Sequence, residues 1–437
     1  MTGGTVSRLA VGHGGWCCEL MSHVIFAAAV IATILSPVSA GAEDAAGGRT
    51  MGTSWSASWH GTPRASDPVP PSAIEDELGR LLERVDQLMS TWREDSEISR
   101  FNASDSTEWF SVSHETVRVV ACAIELSRAS RGAFDVTVAP LVDLWGFGKA
   151  GKQREPSAEA LAAARSLVGW EKLQCRADPP AIRKTLAGVR VDLSAIAKGY
   201  AVDVLGEYLD SLRVSGYLVE VGGETRVKGS RSNGGDWRIG VEQPVAGQRR
   251  VRSFLSLSEG PHGVATSGDY RNRREIAGRF VSHTLDPRKG QPVTHRLAAV
   301  TVVADDCMTA DAWATLLMVM GPRKGLVFAK DNNVAAMFLS RDGTTFKEFT
   351  TPSFEAIQRN AQKGAWWKTW MVALVFVSLA VGGLGVGVLI RGRGLVGSCG
   401  GLALMCDARD DPLCSTCGAR PATSESSERP QATDDAV

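Results

Sequence analysis

The chain has 437 residues, of which 44% are hydrophobic, and its 48 basic residues balance its 48 acidic residues. This length suggests two or three structural units rather than one small domain. Zero net charge provides no attraction for a polyanion and argues against nucleic acid as a partner.

The N-terminal segment has the features of an export signal. An apolar run from Val24 to Leu35 is followed by small residues, with Ala40 or Ala42 as the cleavage position, as in secretory signal peptides. The run is short for a membrane span. Residues 1–42 are therefore expected to be a signal peptide or, if uncleaved, an N-terminal anchor.

Residues 43–360 are expected to form one catalytic domain of the α+β class, because helices and strands follow one another without a strict β-α-β repeat. Residues 91–102, which are mostly polar, are interpreted as a loop that leaves a helix. The predicted helices are 72–90, 114–130, 156–168, a helix from an N-cap at Ser194 to Gly216, and 311–320. The predicted strands are 55–59, 189–192, 217–227 with Gly222 and Gly223 interrupting it, 237–241, 264–266 and 299–303.

The stretch 191–203 concentrates polar chemistry at the predicted junction of a strand and a helix. It contains Asp192, Ser194 and Lys198. A helix N-terminus offers unpaired N–H groups and a partial positive charge, which suits a phosphate. The pattern predicts an anion site there, although no P-loop, Rossmann glycine motif or G-x-S-x-G elbow occurs in the chain.

Two further segments carry candidate site residues. His283 precedes the turn at Asp286 and Pro287 and could act as a general base or hold a phosphate, but a lone histidine is also commonly structural. Asp311 and Thr315 share one helix face and offer the oxygen ligands that Mg²⁺ prefers. The alternative is an acid favoured by the helix dipole beside a packed threonine.

The sequence of the C-terminal region predicts a membrane anchor followed by a tail. Residues 366–391 contain an uncharged stretch from Trp370 to Ile390, long enough to cross a bilayer, with tryptophans at one end. The tail, 392–437, holds four cysteines and ends in a polar segment expected to be disordered. On the reducing side of a membrane these cysteines favour a zinc or iron site over disulfides, with free thiols as the alternative: Cys399, Cys406, Cys414 and Cys417.

An ordered set of motifs resembles the FAD:protein FMN transferases, the ApbE family, over about residues 50–350. The match is specific because all eight motifs occur in the family's order. They lie at 51–53, 96–102, 133–135, 191–200, 221–224, 266–270, 283–287 and 311–315.

The resemblance implies a role for each matching residue and a fold similar to the T-fold. His283 and Asp311 match catalytic positions. Ala195, through its backbone oxygen, Asp311 and Thr315 match the Mg²⁺ ligands. The positions that match FAD contacts are Met51, Trp92, Ala133, Phe134, Asp135, Asp192, Lys198 and Leu285.

The implied reaction is the attack of a threonine hydroxyl of a target protein on the FMN-side phosphorus of FAD, which releases AMP. Two alternatives remain open at this point. One is an FAD pyrophosphatase that yields FMN and AMP, and the other is a non-catalytic FAD-binding assembly factor.

Residues 366–418 resemble the small maturation factor of the sodium-translocating NADH:quinone reductase. This resemblance implies that subunits of the reductase are partners and that the target is one of its flavoproteins. With the export signal, it implies a protein of the bacterial inner membrane, with the catalytic domain in the periplasm and the tail in the cytoplasm.

Overall fold

The structure, a computed structural model, describes residues 42–61, 69–149, 155–245, 250–269, 273–276 and 279–391. The chain divides into two units, residues 1–365 and 366–437. The predicted N-terminal signal, except its last residue, and the predicted cysteine tail lie outside the described residues.

Helices and strands alternate irregularly along the chain, as the α+β prediction requires. The first elements are β1 (Asp44–Thr50), β2 (Thr53–His60), α1 (Pro71–Met89), α2 (Glu97–Ala103), β3 (Phe110–Ser111), α3 (His114–Ala129), α4 (Ala139–Leu144), α5 (Ala158–Ser166), β4 (Leu173–Arg176), β5 (Ala181–Lys184) and α6 (Ala197–Ser211). They are followed by β6 (Gly216–Val221), β7 (Glu224–Lys228), β8 (Trp237–Glu242), β9 (Val251–Leu257), β10 (His262–Gly268), β11 (Arg273–Ile276), β12 (Arg279–Ser282), β13 (Leu285–Asp286), β14 (Gln291–Pro292), β15 (Leu297–Ala304), α7 (Cys307–Asp331), β16 (Ala335–Asp342), β17 (Thr345–Thr350) and α8 (Pro352–Arg391).

An eight-stranded antiparallel sheet in the order β1-β2-β6-β7-β10-β15-β16-β17 forms the centre of the first unit. Strand β15 is buried along almost its whole length, because both faces of the sheet are covered there. Val300 and Val302 pack with α7 on one face, and Ala299 and Val303 pack with the β8–β9 hairpin on the other. One face of the sheet therefore packs against α7.

The predicted strand at 189–192 is wrong. Val191 exchanges hydrogen bonds with the side-chain amide of Asn102, at 2.7 and 2.8 Å, and the Asp192 N–H donates to the Val136 carbonyl at 2.7 Å. One side chain and one backbone carbonyl therefore satisfy the backbone groups that a neighbouring strand would otherwise pair.

The predicted cap of the next helix is also wrong. Helix α6 begins at Ala197 after Ile196, without a side-chain cap. Ser194 lies in the preceding turn, where its N–H donates to Asp192 Oδ1 at 2.9 Å. The acid rather than the serine organises this turn, as aspartates do when they accept from the backbone two residues on.

The segment predicted as one interrupted strand, 217–227, is a hairpin of β6 and β7. Gly222 and Gly223 reverse the chain with φ angles of 65° and 109°, which glycine adopts without strain. Gly216, predicted to end a helix, begins β6 instead. As a consequence Glu224 is the first residue of a central strand.

Several elements that the prediction missed have only weak local sequence patterns. Strand β1 is a glycine-containing edge strand without clear alternation. Residues 97–103, interpreted as part of a loop, form α2, because Ile98 and Phe101 are buried. The prediction also contained none of the strands β3, β4, β5, β9, β11, β12, β13, β14, β16 and β17.

Helix α8 contains the segment predicted to span a membrane. Its described apolar side chains include Trp370, Leu374 and Phe376, all more than half exposed. Among the residues described here, no helix is long and apolar enough to cross a membrane. The anchor at 366–391 stays a prediction.

A buried carboxylate fixes the start of α7. Asp203 on α6 is fully buried and accepts the N–H groups of Cys307, at 2.9 Å, and Met308, at 2.7 Å. Arg226 on β7 donates to the same carboxylate at 2.8 Å. Because the first N–H groups of a helix have no partners within the helix, this contact sets the position of α7 against α6 and the sheet.

Helix α7 bends at Gly321, whose φ of 78° and ψ of 178° are not helical, and Pro322 follows. The His295 ring lies against this bend, since a Cβ on Gly321 would come within 2.6 Å of it. Both ring nitrogens are buried without a hydrogen bond among the described residues. Burial lowers the pKa of His295 below its ordinary value.

We expect Asp203→Asn to lower the free energy of unfolding by about 3–5 kcal/mol, because the buried Arg226 then loses its nearest charge partner and keeps only Asp210, at 3.6 Å. Urea unfolding of the full chain measures this loss. The control is Glu207→Gln on the same helix, which breaks the exposed pair with Arg118 and should cost less than about 1 kcal/mol. Equal losses in the two variants would contradict this assignment.

We expect the protein to lose stability as the pH falls below 6.5, in part through His295. A histidine with a lowered pKa in the folded state takes up its proton more readily when unfolded, so acid favours unfolding. Unfolding free energies between pH 7.5 and 5.5 should fall less steeply in His295→Asn than in the wild type. Parallel curves would rule out this contribution.

Candidate active site

A cavity of about 510 Å³ opens where eight segments of the first unit meet. Its walls come from the β1–β2 turn, residues 133–138, α4, the 192–198 turn, the β6–β7 turn, the end of β10, residues 283–287 and α7. The volume lies in the range of sites for small molecules and cofactors. Every predicted site residue in the first unit except Trp92 lines it: Met51, Ala133, Phe134, Asp135, Asp192, Ala195, Lys198, His283, Leu285, Asp311 and Thr315.

Trp92 lies apart from this set. Its side chain is 62% exposed in the bend between α1 and α2, and it is not part of the cavity wall. The four tail cysteines lie outside the described residues, so their predicted metal site stays a prediction.

Lys198 and two acids form the charged centre of the cavity. The Lys198 ammonium lies 2.6 Å from Glu224 Oε1 and 3.9 Å from Asp311 Oδ2. Burial disfavours the charged lysine, but Asp311 and Glu224 more than offset it and raise the pKa of Lys198 above its ordinary value. Lys198 is therefore a permanent positive charge at neutral pH, suited to a diphosphate.

Burial also disfavours the charged form of Asp311 on α7, and here it has the larger effect. It raises the pKa of Asp311 to about 7, although the positive charge of Lys198 lowers this pKa. The Gly199 N–H donates to Asp311 Oδ2 at 3.0 Å. A Cβ on Gly199 would lie 2.3 Å from the Cys307 carbonyl oxygen, and this close approach of α6 and α7 requires glycine.

The residues present fit a hard divalent cation. Asp311 and Thr315 lie four residues apart on α7 and both line the cavity, as does Ala195 in the turn before α6. Mg²⁺ binds through one or two carboxylates together with waters and substrate phosphates. Within the described part of the chain no cluster of three or more histidine, cysteine or acidic side chains forms a metal cage.

Two other acids of the cavity wall have largely structural contacts. Asp135 accepts hydrogen bonds from the Thr137 N–H and hydroxyl and from the Trp170 N–H. Burial raises the pKa of Asp135, and burial likewise raises that of Asp192, which accepts the Ser194 N–H. Their carboxylates hold the shape of the wall beside the ligand space.

His283 lies just before β13, partly exposed, with its ring edge-to-face against Phe147 at 6.4 Å between centroids. It lines the cavity together with Thr284 and Leu285. Its imidazole is a group that can accept a proton from a ligand bound in the cavity.

Glu224 is a site residue that sequence reasoning missed. The Gly-Gly-Glu motif was recognised, but 217–227 was interpreted as one strand, which concealed the hairpin that turns the acid into the cavity. An acid directly after two glycines in an apolar segment was the available signal.

The chain is similar to known proteins over most of its first unit. The sequence profile of the ApbE family matches residues 51–338. An FAD:protein FMN transferase of Vibrio cholerae is 43% identical over 309 residues, which cover 70% of this chain and 90% of the relative. One of Escherichia coli K12 is 35% identical over 312 residues, 71% of this chain and 87% of the relative.

Solved structures give the same result. The flavin transferase ApbE from Vibrio cholerae superimposes with a TM-score of 0.65 at 40% identity, covering 72% of this chain and 99% of that one. The apo flavinyl transferase ApbE of Pseudomonas stutzeri has a TM-score of 0.65 at 39% identity, with 72% and 96% covered.

Met51 provides a test of the cavity as a flavin site. It occupies the β1–β2 turn with a φ of 47°, a conformation that costs a residue with a side chain about 1–2 kcal/mol. We expect Met51→Asn to raise the melting temperature, because asparagine tolerates this conformation, but to weaken FAD binding, because the side chain lines the cavity. Thermal unfolding and fluorescence titration with FAD measure the two effects.

Arg213→Asn is the matched control for Met51→Asn. Arg213 has a φ of 60° and is not part of the cavity wall. It should gain stability in the same way and bind FAD like the wild type. Wild-type FAD affinity in Met51→Asn would show that Met51 does not contact the flavin.

Proposed function

The chain belongs to the ApbE family and is an FAD:protein FMN transferase, and we propose that it works with Mg²⁺ and modifies a threonine of its target protein. The observation that carries the metal proposal is one cavity in which Asp311 and Thr315 face the positive charge of Lys198. A hard cation and an ammonium group together match the diphosphate of FAD.

Several residues of the cavity wall have a defined task in the proposed reaction. Lys198 neutralises charge on the diphosphate, and Met51 and Phe134 contribute apolar wall for the flavin. Asp311, Thr315 and the Ala195 carbonyl would hold Mg²⁺, which would polarise the phosphoryl group and stabilise the leaving phosphate. Positioning and charge neutralisation then supply most of the rate enhancement.

The bond changes are those of a phosphoryl transfer. The threonine oxygen forms a bond to the FMN-side phosphorus while the bond from that phosphorus to the oxygen of AMP breaks. The hydroxyl proton passes to His283, which lines the same cavity and whose imidazole can act as a general base. FMN stays attached to the target through a phosphoester and AMP leaves.

We further propose that the protein is anchored in a bacterial inner membrane, with the transferase domain in the periplasm. The uncharged segment 370–390 and the apolar run before Ala40 support this arrangement. The resemblance of residues 366–418 to the maturation factor of the sodium-translocating NADH:quinone reductase favours a flavoprotein subunit of that complex as the target. The tail cysteines would then bind iron or zinc in the cytoplasm.

The transfer itself is tested by incubating the full-length protein with FAD, Mg²⁺ and an acceptor protein that carries the target threonine. We expect the acceptor to gain the mass of FMN, and a threonine-to-valine acceptor to gain nothing. FMN and AMP in solution without an adduct would instead identify a pyrophosphatase.

Asp311→Ala should abolish the Mg²⁺-dependent adduct, a loss of at least about 100-fold in rate, because the carboxylate that would hold the cation is gone. Asp305→Asn is the control, since Asp305 is an exposed acid just before the same helix. An unchanged rate in Asp311→Ala would refute the metal assignment.

A further inference from the structure

Glu224 is a buried acid in the cavity for which the proposed reaction provides no task. It is 5% exposed, and its Oε1 lies 2.6 Å from the Lys198 ammonium. Its other oxygen, Oε2, is buried and has no hydrogen bond among the described residues. Burying a carboxylate oxygen without a hydrogen bond costs folding free energy, which points to a function for this acid in the site.

The position of Glu224 is set by a rigid hairpin. Gly222 and Gly223 form the turn before it, and a Cβ on Gly222 would come within 3.0 Å of Thr53 on β2. Glu224 itself pairs with Val221 across the hairpin. The carboxylate is therefore brought to Lys198 by the backbone of the central sheet.

The Lys198 ammonium lies near two carboxylates and is in close contact with only one of them. It is 2.6 Å from Glu224 but 3.9 Å from Asp311. A lysine and a divalent cation compete for the same carboxylate, and an unneutralised ammonium close to a cation also repels it. With Glu224 in place, both effects are reduced at Asp311.

We propose that Glu224 is a positioning residue that holds the Lys198 ammonium away from Asp311 and so keeps this carboxylate open for a divalent cation. The inference rests on the proposed Mg²⁺ site. It assigns Glu224 no bond to the cation and explains why a lysine and a metal ligand can share one small cavity.

The test is a double-mutant cycle on Mg²⁺ affinity, measured by calorimetry on the full-length protein without FAD. Glu224→Gln should weaken Mg²⁺ binding about 10- to 100-fold, the usual effect of losing a residue that supports a metal ligand. In a Lys198→Met background the same substitution should change the affinity less than about twofold, because no ammonium remains to occupy Asp311.

Other outcomes overturn the inference. Equal weakening in both backgrounds would identify Glu224 as a direct ligand, and unchanged affinity in both would remove it from the metal site. If Glu224→Gln unfolds, Glu224→Asp replaces it in the cycle, with the same coupling expected. Absence of Mg²⁺ binding by the wild type, both without FAD and with FAD present, would instead refute the metal part of the proposed function.

Discussion

The ion contact between Lys198 on α6, Glu224 on β7 and Asp311 on α7 is the interaction on which the site depends. Buried charges are tolerated only when partners lie close, so these three elements must approach one another. Gly199 permits the approach, because any side chain there would collide with the Cys307 carbonyl. The same glycine donates its N–H to Asp311 and fixes the orientation of the acid.

The buried acids of the domain divide by how their oxygens are used. Asp203 accepts two N–H groups from the start of α7 and a guanidinium, and Asp135 accepts bonds with both oxygens. These acids stabilise the frame. Glu224 retains a buried oxygen without a hydrogen bond within the described residues, and burial raises the pKa of Asp311 to about 7. A site that must bind charge is thus built from groups that the fold itself leaves incompletely satisfied.

The support from known relatives differs between the transferase core and the rest of the chain. The family profile ends at residue 338, and the Vibrio cholerae relative aligns over 90% of its own length but only 70% of this chain. Residues 366–437 form a second unit beyond that shared core. The proposed membrane anchor and the proposed target protein therefore depend on the composition of this chain's own C-terminal region.

The amino-acid sequence alone determined the α+β class, the helices at 72–90 and 114–130, and nearly all of the cavity residues. Regular apolar spacing marks a helix locally, and Asp311 and Thr315 share a face through helix geometry alone. The eight ordered motifs supplied the flavin, which the residue chemistry could specify only as a phosphate ligand.

The tertiary structure decided what depends on contacts between distant residues. The Asn102 side chain replaced the predicted strand at 189–192, since no local pattern indicates which group pairs with Val191. The hairpin at Gly222 and Gly223 turned Glu224 toward Lys198, 26 residues earlier in the chain, and made it part of the charged centre. Periodicity reports which face of an element is buried, but only the packed fold brings two charges to within 2.6 Å.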